Sequence, residues 1–139
     1  MRAIDLTSGT EIVPPERCLE LLRTEEIGRL GVVRDGEVDI FPVNYEMDGD
    51  LICFTSNWGR KLLGVVNAEA TFEVDSIDRQ SRCGWSVIVH GVLADVTPRR
   101  DDDPGLPRPW TGPKDYKVRI RPTRMTGRQI QASFWEGPK

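Results

Sequence analysis

The chain has 139 residues, enough for one ordinary domain and short for two. Its composition, 38% hydrophobic and 29% charged, is that of a folded globular protein. Nineteen basic against 22 acidic residues give a net charge of -3, so no overall positive field would recruit nucleic acid or an anionic membrane. We therefore treat residues 1–139 as a single domain and expect any anion site to be local.

The cysteines and the histidine limit metal and redox chemistry. Cys18, Cys53 and Cys83 are odd in number and far apart, so they form neither a CxxC metal pair nor a closed disulfide framework. With a single histidine they exclude the usual zinc-site spacings. No apolar run approaches the roughly 20 residues that span a bilayer. We expect a protein of the reducing cytoplasm with no metal site and no membrane partner.

The first predicted elements are a helix and a hairpin. Pro15 and Glu16 stand where a helix start favours proline and an acid, so a short helix is predicted from there. The apolar period then changes to that of strands over residues 28–33 and 37–47. Asp35-Gly36 between them is a strong hairpin signal. A second turn at Asp48-Gly49 leads into a strand over residues 51–55.

The rest of the chain predicts further strands. Residues 57–68 break the strand rhythm and suit a short helix carried over the sheet. Strands follow over residues 71–75 and 84–96, the second bent at Gly91. Residues 98–113 hold five prolines and form an irregular loop, and two last strands over residues 116–121 and 125–132 are separated by Pro122. Six or seven short strands with two short helices indicate a β-dominated α+β fold, a small antiparallel barrel.

Residues 54–61, FTSNWGRK, carry the most informative local pattern. A strand ends in the hydroxyls of Thr55 and Ser56, and a helix begins beside Arg60 and Lys61. Hydroxyls, free backbone N–H groups and two cations at a helix start suit a phosphate. The pattern by itself suits a plain helix cap with solvated cations better, since such caps are common.

Two other segments mix polar and apolar residues. Residues 42–45, PVNY, place an amide among apolar neighbours, which suits either the rim of a flat heterocycle or a sheet-edge strand. Trp85 and Ser86 open the long strand, where the tryptophan walls a ring-shaped pocket or simply packs in the core. His90 is interpreted as a partly buried strand histidine. No nucleophile, base and orienting group stand together, so no catalytic residue is assigned.

Six segments, taken in order, resemble the pyridoxamine-phosphate-oxidase-like, FMN-binding split-barrel family, in its nitroimidazole-reductase-like or flavin-deazaflavin branch. They are residues 27–32, 42–45, 54–61, 72–75, 84–87 and 126–128. The resemblance covers roughly residues 15–131. It implies a six-stranded antiparallel split β-barrel with short flanking helices, and a homodimer with cofactor sites at the subunit interface.

The resemblance also implies a site and an activity. The family's phosphate-binding positions correspond to Thr55, Ser56, Arg60 and Lys61 in this chain. Seven further residues correspond to the positions that contact the flavin ring. These are Pro42, Val43, Asn44, Tyr45, Phe54, Trp85 and Ser86. Trp110 and the region of Arg128 are candidate contacts from the second subunit. The expected protein is an FMN-dependent oxidoreductase acting on a small molecule.

The resemblance leaves alternatives open. Relatives of this kind also use a deazaflavin cofactor or bind haem, so a deazaflavin-dependent reductase and a non-enzymatic flavin or haem carrier remain alternatives. Pyridoxamine-phosphate oxidases themselves end in an arginine-leucine motif that grips the substrate phosphate, whereas residues 133–139 read SFWEGPK. Oxidation of vitamin B6 is therefore not expected, and the substrate is left open.

Overall fold

The computed structural model describes residue 4 and residues 10–56, 69–95 and 116–136. Within these ranges the chain forms seven strands, one α-helix and one short 3-10 helix. The strands are β1 (Glu11–Val13), β2 (Ile27–Arg34), β3 (Glu37–Asp48), β4 (Leu51–Ser56), β5 (Glu69–Ile77), β6 (Gly84–Asp95) and β7 (Tyr116–Ile130). The α-helix is α1 (Pro15–Leu22), and the 3-10 helix is Ala132–Glu136. The predicted helix over residues 57–68 and the predicted loop over residues 98–113 lie outside the described residues.

The strands form one antiparallel sheet in the order β1-β7-β4-β3-β2-β5-β6, and β6 also pairs with β7. The six strands from β2 to β7 therefore close into a ring, which confirms the predicted split barrel. The sheet has seven strands rather than the six predicted, because the short β1 pairs with residues 127–129 of β7. The first part of β7, residues 116–120, pairs with β4 instead. The barrel is split at β7, because the first part of this strand pairs with β4 and its last part pairs with β1.

The β2–β3 hairpin turns at the predicted position. Asp35 and Gly36 have φ values of 51° and 80°. A two-residue turn with both φ angles positive matches the right-handed twist of the strands that it joins. The turn sets the register in which Arg29 faces Pro42 and Ile27 faces Asn44.

A β-bulge shapes the long β6–β7 pairing. The register shifts between His90 and Gly91, so Gly91 faces Pro122, and the irregular pairing lies at the residue where a bend in β6 was predicted. A Cβ at Gly91 would stand 2.4 Å from the carbonyl oxygen of Arg121, so only glycine fits there. The prediction that Pro122 separates two strands was wrong: β7 runs on through Pro122, because the bulge tolerates a residue without an N–H group.

The core fills the barrel with aliphatic and aromatic side chains. Phe72 is fully buried and meets Tyr45 edge-on, with ring centroids 5.2 Å apart, and it stacks on Phe54 at 6.4 Å. Helix α1 closes over the second half of β7, where a Cβ at Gly127 would come within 2.4 Å of Cys18 Sγ. No helix within the described ranges is long and apolar enough to cross a membrane.

Candidate functional site

The pleat of β3 divides the predicted ring-binding residues between two faces. Val43 and Tyr45 point into the barrel and are 5% and 4% exposed. Pro42 and Asn44 alternate with them and are exposed on the outer face. The two pairs cannot present side chains to the same surface, because successive residues of a strand point to opposite sides.

Tyr45 has a partner inside the protein. Its hydroxyl donates a hydrogen bond to the carbonyl oxygen of Leu22 at the end of α1, over 2.6 Å. Burial raises the pKa of Tyr45 to about 12, with a smaller contribution from the charge of Glu25. The side chain therefore anchors the end of the helix from the core side of the sheet.

The predicted phosphate-binding residues are described only in part. Phe54 is buried at 2% exposure in the core. Thr55 and Ser56 continue β4, and their backbones pair with Lys117 and Tyr116 of β7. Arg60 and Lys61 lie outside the described residues, as does Trp110.

Trp85 and Ser86 also lie on opposite faces. Trp85 is half-buried and packs against the core cluster. Ser86 stands on the outer face, where its hydroxyl donates to Oε2 of Glu73 over 3.4 Å. Arg128, expected as a contact from the second subunit, faces Ser86 in the β6–β7 register of the same subunit.

The outer face of the sheet brings polar residues from several strands into rows. One row runs across five strands from Pro42 through Arg29, Glu73 and Ile88 to Thr126. Two residues further along each strand, the neighbouring row holds Asn44, Ile27, Asp75, Ser86 and Arg128. Three strand spacings, about 14 Å, separate Asn44 from Ser86 along this surface.

An ion cluster occupies the middle of these rows. Arg29 Nη1 lies 3.4 Å from Glu73 Oε1 and 3.5 Å from Asp75 Oδ2. The side chains of Glu73 and Asp75 are only 28% and 30% exposed. Both acids are therefore half-buried within the ion cluster. Sequence offered no sign of the cluster, because β2 and β5 are about 40 residues apart in the chain.

Glu73 has an unusual acidity. Burial raises its pKa to about 7, helped by the hydrogen bond and the charge of Asp75, while Arg29 and Ser86 act in the opposite direction. The carboxyl therefore gains or loses its proton near neutral pH, within hydrogen-bonding reach of Ser86. Perturbed groups of this kind are concentrated at functional sites, although structural ion pairs show them too.

The same outer face exposes large aliphatic side chains on β2 and β3. Ile27, Val33, Val38 and Ile40 are 59%, 61%, 70% and 66% exposed. In the β2–β3 register Val33 faces Val38, and Gly31 faces Ile40. Contiguous exposed apolar surface of this sort marks a binding or association surface.

The closed ring of six antiparallel strands, with α1 over the split, defines a split β-barrel. A family model described as pyridoxamine 5'-phosphate oxidase matches residues 14–129. The chain belongs to this family, which confirms the membership predicted from the six motifs.

Several known proteins are similar to this chain. An uncharacterised protein of Mycobacterium tuberculosis is 31% identical over 141 residues, which cover 90% of each chain. The structure of the FAD-binding protein from Mycobacterium smegmatis is similar with a TM-score of 0.68 and 30% identity, over 86% of this chain and 97% of that one. An FAD- and haem-binding protein of the same organism shares the fold at 16% identity, with a TM-score of 0.63 over 84% of this chain and 71% of its own.

Proposed function

We propose that the protein is a flavin-binding oxidoreductase that passes hydride or electrons through the flavin to a small substrate. The observation that carries the proposal is the outer face of β3, β2, β5 and β6, where exposed apolar and hydrogen-bonding side chains alternate on a rigid sheet. A flat heterocycle with an apolar face and a polar edge needs this mixture. The similarity to a protein named as FAD-binding, at 30% identity, supports the choice of a flavin.

The residues on this face fit such a ring. Pro42 and Ile27 offer apolar contact, while Asn44 and Ser86 offer an amide and a hydroxyl in one row. When bound, the flavin supplies the hydride or electron transfer, so the chain needs no nucleophile of its own. The chain's role is to bind and orient the ring and to exclude water from it.

Side chains on the core side of the sheet hold in place the strands that carry the proposed ring site. Val43, Tyr45, Phe54 and Trp85 fix the strands whose outer side chains would meet the ring. We propose that the flavin phosphate is held by Thr55 and Ser56 at the end of β4, with Arg60 and Lys61 as its cations. This last assignment rests on the sequence pattern and the family.

We propose FMN as the resident flavin, with FAD as the alternative that the similar M. smegmatis protein supports. Both carry the same ring and the same first phosphate, so the site described above serves either. FAD carries an additional adenylate, whose phosphate needs a second anion site.

We also propose that the protein is a homodimer with the cofactor sites at the subunit interface. The exposed Ile27, Val33, Val38 and Ile40 lie beside the proposed ring site on β2 and β3. Burying them against a second copy would remove apolar surface from water and would cover the ring site at the same time.

The cysteines support a reducing compartment, for which we propose the cytoplasm. Cys18 is buried, Cys53 is half-buried and Cys83 is exposed, and all three are free. Exposed free thiols are typical of proteins kept in a reduced state.

A spectrum of the purified protein, with mass identification of the released ligand, tests the flavin proposal. We expect the absorption bands of a bound flavin. Asn44→Ala should weaken flavin binding at least fivefold, and Lys61→Ala at least tenfold, since a charge-assisted phosphate contact is stronger than a neutral one. Arg17→Ala, which removes an exposed cation of α1 outside the proposed site, is the matched control. A folded Lys61→Ala variant with full flavin affinity would contradict the phosphate assignment.

The second candidate is a non-enzymatic flavin or haem carrier. The names of the similar M. smegmatis proteins describe binding and no reaction. Turnover separates the two candidates. A bound flavin that NAD(P)H and a reduced deazaflavin both fail to reduce would favour the carrier, whereas reduction followed by reoxidation with an acceptor supports the oxidoreductase.

A further inference from the structure

The outer face carries a groove that the proposed ring site does not use. It has a volume of about 650 Å³ and lies over β2, β5, β6 and β7, towards the Asp35-Gly36 turn. Pockets of this size hold small organic molecules. Its lining includes Gly31, Val33, Val38, Thr71, His90 and Arg124.

The floor of the groove is bare backbone at Gly31. A Cβ built there would meet only the carbonyl oxygen of Thr71, at 3.6 Å, so the space above the strand is open. Gly31, Thr71, His90 and Arg124 form one continuous row across the four strands. A flat group can therefore lie on the sheet at this row without meeting a side chain of β2.

One side of the groove is apolar. Val33 and Val38 face each other across the β2–β3 hairpin and are more than half exposed. Val92 lines the groove from β6. An aromatic or aliphatic body placed here would pack against these side chains, beside the contact that the proposed second copy makes with them.

The other side of the groove is polar and positively charged. Within the described part of the chain, the Arg124 guanidinium has no carboxylate within 4.0 Å. Thr123, beside it, donates to the carbonyl oxygen of His90 over 3.2 Å and so fixes the bulge that carries Arg124. Nδ1 of His90 lies 3.1 Å from the Thr71 hydroxyl, which orients the ring. This end can hold one carboxylate by a forked, charge-assisted contact.

Glu69 limits the ligand to one anionic group. It lines the groove one row away, facing Val92, where a second anion would be repelled. Its carboxylate can accept a hydrogen bond from a donor on the ligand instead.

We propose that the groove binds the substrate of the flavin reaction, a small planar aromatic monocarboxylate, with its ring over Gly31 and Thr71 beside Val33 and its carboxylate on the guanidinium of Arg124. The inference rests on the proposed function, because Gly31 is two residues, about 7 Å, from Arg29 in the row that begins at Pro42. A ligand in the groove would thus lie beside the proposed flavin site.

Titration of the isotope-labelled full chain with 2-naphthoate, followed by amide NMR, tests this site without flavin. We expect shifts centred on Gly31, Thr71 and His90, and a dissociation constant at least tenfold weaker in Arg124→Gln. Arg17→Gln, which removes an exposed arginine of α1 outside the groove, should change it less than twofold. The neutral 2-naphthamide should bind at least tenfold more weakly than 2-naphthoate.

Gly31→Val provides a second, independent test. Valine suits a strand and its Cβ meets no close contact, so the variant should fold while its side chain fills the floor and weakens 2-naphthoate at least tenfold. Binding that is unchanged in Arg124→Gln or in a folded Gly31→Val, or no binding at all, would overturn the inference. A protein that takes up flavin yet does not bind 2-naphthoate contradicts this inference alone. One that binds 2-naphthoate through Arg124 but never binds flavin contradicts the proposed function.

Discussion

The Tyr45 hydroxyl donates to the Leu22 carbonyl oxygen over 2.6 Å, and this bond joins β3 to the last turn of α1. Tyr45→Phe should lower the free energy of unfolding by about 1–2 kcal/mol, because it leaves the buried carbonyl without a donor. Urea denaturation measures the loss. Flavin affinity should stay within twofold, since the side chain lies on the core side. Loss of flavin at unchanged stability would instead place the hydroxyl in the cofactor site.

Glu73 should make stability depend on pH. Its pKa is raised from the ordinary 4.5 to about 7 in the folded protein, so the folded state holds the proton more tightly than the unfolded chain does. The free energy of unfolding that it contributes is fully present below about pH 4.5 and falls as the pH rises through 7, by on the order of 1–3 kcal/mol.

Glu73→Gln should remove that fall, because glutamine stays neutral and can still bond to Ser86. Denaturation of both proteins at pH 5 and pH 8 measures the difference, with Glu46→Gln, a change at an exposed carboxyl of β3, as the matched control. Equal pH slopes for the wild type and Glu73→Gln would show that the cluster is solvated after all.

Two glycines of β2 should respond oppositely to alanine. A Cβ at Gly28 would lie 2.3 Å from Cζ of the fully buried Phe72, so Gly28→Ala should cost about 1–3 kcal/mol or more in stability. Gly31 has open space, and Gly31→Ala should stabilise the strand by up to about 1 kcal/mol. Thermal unfolding of the two variants checks the contrast, which similar stabilities would contradict.

The exposed aliphatic face should control oligomeric state. Ile40→Lys combined with Val38→Lys places two pairs of like charges across a twofold interface. The dissociation constant of the dimer should therefore rise at least tenfold. Sedimentation velocity over a range of concentrations measures this. Ile77→Lys, at the end of β5 and 37% exposed, is the matched control. A double variant that sediments as the wild type does would exclude this face as the interface.

Local signals in the sequence were sufficient for much of the fold. The Asp35-Gly36 turn and the irregular pairing at Gly91 stand where their chemistry predicts them, since both depend on backbone angles or close approach at single residues. Strand β1 was missed because three residues carry too little periodicity, and its partner strand β7 is more than 100 residues away in the chain. Pro122 was misread because its tolerance depends on a bulge formed with a distant strand.

The candidate site was less accessible to sequence reasoning. The alternation along residues 42–45 already assigns their side chains to two faces of the sheet. Only the register between strands shows which residues of the neighbouring strands lie on each face. Arg29 and Glu73 stand in two separate family motifs, and neither motif shows that the two residues meet, because their contact depends on the pairing of β2 with β5. Long-range pairing of this kind leaves no local pattern.

The split along β7 has a consequence for how the chain acquires its structure. Closing the ring requires residues 116–120 to reach β4, and seating β1 requires Gln129 to reach Glu11, more than 100 positions earlier. Contacts so distant along the chain form slowly and late. During synthesis the sheet of strands β2 to β6 therefore emerges from the ribosome with both its edges, β4 and β6, open. The last strand both completes the barrel and ends the interval in which those edges could pair with another chain.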